Sequence, residues 1–476
     1  MAIKIFIAAH SAETCTGIGN TVRSIFRPLL EKYPGKYEIQ QLGYFHPGTR
    51  EFNIPWPIYP TKVVQSPQGP QLDMNDKYGE ISFNELVHKI KPDIVFGYGD
   101  MWHFDHMLNS PLRNTYRMVS YYTIDGQPYY GTLAPDGSTD WGKKLLKTDK
   151  LIVLSHFGVK TLKESCPELK DIDIEVRYHP LDMSKHKFLS PKDKEEFKKK
   201  VLPPIIANNS FIIGWCGRNQ FRKQNYKLWE ILHYMIFGDY IECKQCNRIT
   251  VKEFNHSTRK IRALGELTLY DYDYDYSHCW HCKSSNIVPG VPQDNTYMWF
   301  HMPKTDNFYT PDFHERMWNV GNKCIYTNGL DQVKGIPEQA VYDIMSTWDC
   351  HLYPSGGEGL GNPLIESMAS GIPVVYSNYS SHAEMGQFGG LPIRVTYISE
   401  PHIGIQRSIV DTNHAVEQLL KLYRDPKLKY DLGLRGRQHV SQYTLDTMAP
   451  TWDKVFTEMM RRPLPQAGNK LYSTVI

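Results

Sequence analysis

Nowhere in this sequence do about 18 apolar residues follow one another, so no membrane-crossing helix is expected. The apolar amino terminus, MAIKIFIAAH, is too short for a secretory leader and reads as a first β-strand. An excess of one charge is also missing. With 54 Lys and Arg against 51 Asp and Glu, the net charge of +3 neither demands nor excludes a nucleic-acid partner. The basic run KDKEEFKKK at 192–200 is mixed in sign and reads as a solvated helix face. No internal repeat is present beyond a duplication of architecture. The loop after the first strand, Thr16-Gly17-Ile18-Gly19-Asn20, is not G-x-G-x-x-G, which argues against a dinucleotide site. Nine cysteines are an odd number, and in a chain without a leader they favour thiols and metal over a disulfide framework. A cytoplasmic enzyme is the expectation.

What is present is alternation. A chain of 476 residues is too long for one ordinary core and suggests two domains with room for an insertion. Apolar runs at 3–8, 94–97, 118–124, 151–155 and 174–178 are separated by longer helical stretches. The pattern restarts after Leu202-Pro203-Pro204, at 211–215, 297–301, 324–327, 350–353, 374–376 and 393–397. Short apolar strands spaced this way predict parallel sheets covered by helices on both faces. The fold class is therefore α/β, with two doubly wound Rossmann-like domains, 1–180 and 205–437, facing a cleft across a linker near 180–209. Ligands in such sheets bind outside the carboxyl ends of the strands. Residues 48–73, rich in Pro and Gln and without periodicity, read as a long surface loop suited to acceptor contacts or a lid. The biased run DYDYDY at 271–276 reads as a hairpin strand or loop.

Residues 351–384, HLYPSGGEGLGNPLIESMASGIPVVYSNYSSHAE, read as strand, glycine loop, helix, turn and strand. Pro363 suits the first turn of a helix because its missing N–H would be unpaired there anyway. A helix start behind a glycine loop presents free N–H groups and a positive dipole end to an anion such as phosphate. Glu358 lies in the loop and Glu366 one turn into the helix. Two carboxylates beside an anion site make sense when the ligand also carries hydroxyls, as a nucleotide sugar does. Upstream, 211–223 (FIIGWCGRNQFRK) is a strand running into a loop that carries Arg218 and Lys223, five apart. A guanidinium fork and an ammonium both suit the oxygens of a diphosphate.

At these residues the chain resembles the retaining glycosyltransferases of the GT-B fold, the group 1 or glycogen-synthase-like family. Glu358-Gly-Leu-Gly-Asn-Pro-Leu-Ile-Glu366 matches the family's E-x7-E element, Ser-Met-Ala-Ser-Gly-Ile-Pro-Val-Val follows as its next motif does, and Arg218 and Lys223 match its G-R-x4-K. The resemblance implies a UDP- or GDP-sugar donor held mainly by the second domain, with Glu366 on the ribose hydroxyls and Glu358 on the donor sugar. Leu360, Gly361 and Asn362 would approach sugar and phosphates, and Gly17 and Gly19 the diphosphate from the first domain. A last helix, about 440–465 and read over 438–461, would cross back to the first domain. Asp125 stands in Thr123-Ile124-Asp125-Gly126 where the family usually has His beside the donor sugar. Asp100 and His103, after another strand, either face the cleft on the acceptor side or are structural. The resemblance implies retention of anomeric configuration and no catalytic metal, with Arg218, Lys223 and helix N–H groups supplying positive charge.

Cys243-Lys-Gln-Cys246 and Cys279-Trp-His-Cys282 are two knuckles whose four thiolates suit a tetrahedral structural Zn²⁺ in an insertion at 240–286. Its role could be folding, oligomerisation or acceptor binding. The acceptor is expected to be a glycan or lipid-linked saccharide. A second reading is a glycosyltransferase of hydroxymethylated bases in DNA. In it Lys244, Arg248, Lys252, Arg259, Lys260 and Arg262 meet phosphate, and Tyr272, Tyr274, Tyr276 and Trp280 stack bases. A third is a catalytically silent binding protein, which the intact Arg218, Lys223, Glu358 and Glu366 argue against.

Overall fold

The computed structural model of the chain describes residues 1–46, 48, 52–66, 69–252, 276–304, 308–330, 335–400 and 404–465. Arg259, Lys260, Arg262, Tyr272 and Tyr274, together with all of the 271–276 run except Tyr276, lie outside them.

The first half builds one parallel sheet from β1 (Ile3–His10), β2 (Tyr37–Tyr44), β3 (Ile58–Pro60), β6 (Ile94–Gly99), β7 (Arg117–Tyr122), β8 (Lys150–Val153) and β9 (Ile174–Val176). Their spatial order is β3-β2-β1-β6-β7-β8-β9. The central strands are buried on both faces, as their unbroken apolar runs require. The 48–73 stretch is less loop-like than its composition suggests. Ile58 to Pro60 extend the sheet edge in register with Gln41 to Gly43, where a proline costs no ladder bond to a further strand. The next residues form a hairpin, β4 (Val63–Ser66) and β5 (Gly69–Leu72).

The second half repeats the plan with β10 (Phe211–Cys216), β14 (Thr296–His301), β15 (Cys324–Tyr326), β16 (Cys350–Tyr353), β17 (Val374–Ser377) and β18 (Gly390–Ile393), all parallel, in the order β15-β14-β10-β16-β17-β18. Between β10 and β14 the chain makes a separate antiparallel sheet, β12-β11-β13, from β11 (Tyr240–Cys243), β12 (Ile249–Val251) and β13 (Ile287–Pro289). After β18 comes a second hairpin, β19 (Val395–Ser399) and β20 (Gln406–Val410). In both sheets the strand order reverses at the first strand, between β1 and β6 and between β10 and β16. A doubly wound sheet opens its ligand crevice at such a point.

The final helix begins later than the sequence pattern suggests. Pro426–Val440 is a helix of its own, and Leu445–Arg461 is the crossing one. Thr444 sets the boundary, its side chain accepting the Thr447 N–H at 3.2 Å as an N-cap. Leu445–Arg461 lies on the first domain: Trp452 and Phe456 are buried against Phe96, and Asp453 accepts a hydrogen bond from Tyr37 at 2.6 Å. Among the described residues no helix is long and apolar enough to cross a membrane.

Candidate active site

The loops at the two switch points meet in the cleft. From the second domain come the loop after β10, with Arg222 and Lys223, and the loop after β16, with Glu358. From the first domain comes Asp125, beyond β7. The Glu358 side chain, 9% exposed, is gripped on both oxygens: Lys223 pairs with Oε1, and Arg222 Nη1 lies 2.7 Å from Oε2. Ser355 and Tyr353 donate further hydrogen bonds to Oε1 at 2.8 and 3.2 Å. Burial alone would push this carboxyl up, but the charges of Arg222 and Lys223 outweigh it and hold the group well below the usual carboxylate range. Burial lowers Lys223 to about 8 against the pull of Glu358. Arg222 also donates to the Gly357 carbonyl at 2.9 Å, and its Nε stands 3.8 Å from Asp125 Oδ2. A Cβ on Gly357 would lie 1.9 Å from the Asp125 carbonyl oxygen, so only glycine lets the two domains approach here.

The helix Asn362–Ala369 starts from Gly361, whose φ of 85° disfavours a side chain. Asn362 faces the first domain, its Nδ2 lying 3.4 Å from the Gly17 carbonyl. Its Oδ1 accepts from His179 Nδ1 at 2.5 Å, so a neutral His179 offers its bare Nε2 to the Tyr98 hydroxyl, 2.9 Å away. Burial lowers His179 to about 4 and keeps it neutral. Gly19 has a packing reason: a Cβ there would lie 2.3 Å from Thr14 Oγ1 and 2.6 Å from the Ser11 carbonyl. Leu360 is buried beside Gly361, and its carbonyl accepts from Ser381 Oγ.

Alongside this helix runs a cavity of about 240 Å³, bounded by Asn362, Ile365 and Glu366, by Glu338 and Tyr342, and by Arg23 and Asn20 of the first domain. Glu366 opens onto it. Burial, with the nearby Glu338 charge, pushes its carboxyl up to about 8.

The structure thus brings Lys223, Glu358 and Asp125 into one cluster, sets Gly17 against Asn362, and places Glu366 in the adjoining cavity. Arg218, in the loop after β10, is exposed. Asp100 adjoins Asp125: Thr123 donates to its carboxylate, and burial with the Asp125 charge pushes it up to about 6. His103 points elsewhere. Its Nδ1 accepts from the Asp100 backbone N–H at 3.1 Å, its ring packs on Tyr78 at 4.2 Å, and burial holds it neutral, near 3. Sequence reasoning missed Arg222, which sits at an unspecified position of G-R-x4-K, and Arg407, on the β19–β20 hairpin. It also missed Glu384, which caps the first domain's helix His156–Ser165 by accepting the N–H groups of His156 and Phe157, each at 3.1 Å.

In the small antiparallel sheet, Cys243, Cys246, Cys279 and Cys282 bring their sulfurs within 4.8 Å of one another. The Cys243–Cys282 and Cys246–Cys279 separations are 3.5 and 3.6 Å. These are too long for S–S bonds and close to the roughly 3.8 Å edge of a thiolate tetrahedron with Zn–S bonds of about 2.3 Å. Burial works against the Cys243 thiolate, but the N–H groups of Cys246 and Gln245 lower it to about 6. The four residues fit a structural zinc ion. They anchor a sheet whose Tyr240, Ile249 and Val251 are buried and whose Val251 N–H donates to Asn413 at 2.6 Å. Metal analysis of the purified protein should find one zinc per chain, and Cys279→Ser should lower that stoichiometry. Full zinc in Cys279→Ser would remove the four-cysteine assignment.

Comparison with known proteins agrees with this fold. Residues 322–439 match the family described as Glycosyl transferases group 1. Among curated proteins, none matches the sequence. Similar solved structures include a sucrose-phosphate synthase from Thermosynechococcus elongatus, 13% identical with a TM-score of 0.64 over 96% of this chain and 99% of that one. HepE of Anabaena, in complex with UDP and glucose, is 12% identical with a TM-score of 0.59 over 96% and 100%. TarM of S. aureus, as a variant in complex with fondaparinux, α-GlcNAc-glycerol and UDP, is 12% identical with a TM-score of 0.55 over 95% and 99%. Two doubly wound domains with the site in the cleft between them are the GT-B fold. Residues 322–439 carry the match to that family, and the chain as a whole shares the GT-B fold.

Proposed function

We propose that the protein transfers a sugar from a nucleoside diphosphate donor to a hydroxyl of a glycan or lipid-linked saccharide, with retention of configuration. The observation that carries this reading is Glu358: a buried carboxylate fixed by two cations where the domains meet, beside a helix start that faces the first domain's glycine loop. The carboxylate can accept hydrogen bonds from sugar hydroxyls. Arg222, Lys223 and Arg218, with the positive dipole end of the Asn362 helix, can take up the charge that develops on the departing diphosphate. The acceptor oxygen then attacks from the face that the diphosphate leaves, and a phosphate oxygen can take its proton. The two similar proteins solved with UDP support a uridine donor, and the saccharide ligands of TarM support a glycan acceptor.

The test is nucleoside diphosphate release from UDP-glucose and GDP-mannose by the wild-type protein, paired with calorimetric binding of UDP and GDP. Glu366 gives the binding a pH signature. Its carboxyl is raised to about 8, so it is mostly protonated at pH 7 in the free protein. Accepting both ribose hydroxyls requires the ionised form, so binding expels a proton. Affinity should therefore rise between pH 6 and 8, by up to about tenfold per unit, and level off above. Glu366→Gln should bind at least about tenfold more weakly at pH 8 and lose the pH dependence. A pH-independent wild type would remove Glu366 from the ribose.

A further inference from the structure

The hairpin β19–β20 belongs to the second domain by sequence but closes onto the first. Ile405, at its tip, is 2% exposed in the first domain's apolar cluster with Ile124 and Tyr129. The Gln406 N–H donates to the Gln127 carbonyl at 2.7 Å. The Gln127 N–H donates to the Tyr379 hydroxyl at 3.2 Å, which donates in turn to the Gln406 carbonyl at 3.0 Å. The next residue, Arg407, is 5% exposed in its side chain and reaches Asp125 twice through Nη1, at 3.0 Å to the carbonyl and 3.0 Å to Oδ1. Its Nε lies 2.5 Å from Glu400 on the same hairpin. Asp125 is thus held from the second domain by Arg407 on Oδ1 and approached by Arg222 on Oδ2, and Arg222 grips Glu358. Three cations, Arg407, Arg222 and Lys223, alternate with Asp125 and Glu358, and Glu400 closes the row.

We infer that Arg407 is a positioning residue for the transfer reaction, fixing Asp125 against the Glu358 loop so that the sugar site is ordered only when the hairpin is clasped to the first domain. Without Arg407, Asp125 keeps one cation at 3.8 Å, too long for a hydrogen bond, and its carboxylate is free to turn from the site. Arg407 and its partners Asp125 and Glu400 lie outside the set of residues that bound the cavity beside Glu366, so nucleotide binding should not depend on it. This inference rests on the donor-transfer reading above.

The experiment measures nucleotide release from UDP-glucose and GDP-mannose, together with UDP and GDP binding, for Arg407→Met, Arg407→Lys, Asp125→Asn and the double variant Asp125→Asn/Arg407→Met. Arg407→Met should lower kcat at least about tenfold while nucleotide affinity stays within about threefold, and Arg407→Lys should recover part of the loss. The double variant should be no more than about twofold slower than Asp125→Asn alone, because both remove one arrangement. Wild-type turnover in Arg407→Met, a multiplicative loss in the double variant, or equal falls in affinity and kcat would each overturn the inference. Arg407→Lys keeps the charge on the hairpin and remains informative if Arg407→Met unfolds. No release and no nucleotide binding by the wild type would instead bring down the donor reading, and this inference with it.

Discussion

Glu358→Gln should lower nucleotide release at least about a hundredfold, equivalent to about 2.7 kcal/mol, without weakening the binding of free UDP or GDP. Glutamine keeps the shape of the side chain and an oxygen for Ser355 and Tyr353, so the change is one of charge. In the wild type the Lys223 and Arg222 cations are both engaged by Glu358. Removing the carboxylate leaves two cations in a pocket where burial already lowers Lys223 to about 8. Buried charge without a partner is costly, and a bound diphosphate relieves it. Affinity for the nucleoside diphosphate should therefore hold or rise as turnover falls. That opposition separates Glu358 from a residue that merely shapes the site, whose loss would weaken binding and turnover together. Unchanged release would mean that Glu358 serves only as a counter-ion for Arg222 and Lys223.

How much of this site the sequence disclosed follows from how local each part is. The Glu358 loop and the Asn362 helix were legible because strand, glycine turn and helix follow within a few residues, each with its own backbone signal. The cysteine knuckles were legible because two residues at close spacing already fix half of a tetrahedron. Lys223 was legible by spacing from its strand. Arg222 shares the same segment and was passed over, because a linear pattern does not say which side chain of a short 3₁₀ turn points inward; Phe221–Lys223 form that turn. Arg407 carried no signal at all. Its role depends on a hairpin crossing between domains, and it lies 282 residues from its partner Asp125. Glu384 is similar: it ends the most readable stretch of the chain, yet its partners are the backbone N–H groups of a helix in the other domain. His103 was left open between the cleft and a structural role, because a histidine after a strand does not say where its ring goes; here packing and the turn's own backbone take it up. The late start of the last helix was also readable in principle, since Thr444 is an N-cap residue type placed directly before it.

The other large effect lies at the far edge of the second domain, where stability and catalysis separate. Asp349, 3% exposed, opens β16 and is held by Lys198 and Lys429, each at 2.7 Å, while Lys194 donates to the adjacent Trp348 carbonyl at 2.6 Å. Asp349 also accepts the Ile212 N–H at 2.9 Å, so one carboxylate ties the linker helix Pro191–Val201 to both central strands. Burial opposes its charge, but the lysines outweigh that and hold the carboxyl well below its usual range. A folded-state value below the unfolded one contributes stability above about pH 4, and the contribution is lost as pH falls from there. Asp349→Asn should therefore destabilise the protein by about 3–5 kcal/mol at neutral pH, because it strands buried lysines. The gap to the wild type should narrow below about pH 4. Thermal unfolding followed across pH checks both statements, and nucleotide release well below the transition should stay near wild type, since the cluster lies at the opposite end of β10 and β16 from Lys223 and Glu358. Equal unfolding temperatures at pH 7 would show that the lysines are solvated well enough to need no counter-charge. A gap that persists unchanged into acid would place the loss in the Ile212 hydrogen bond, which asparagine can keep only through its one carbonyl oxygen, rather than in the ion pairs.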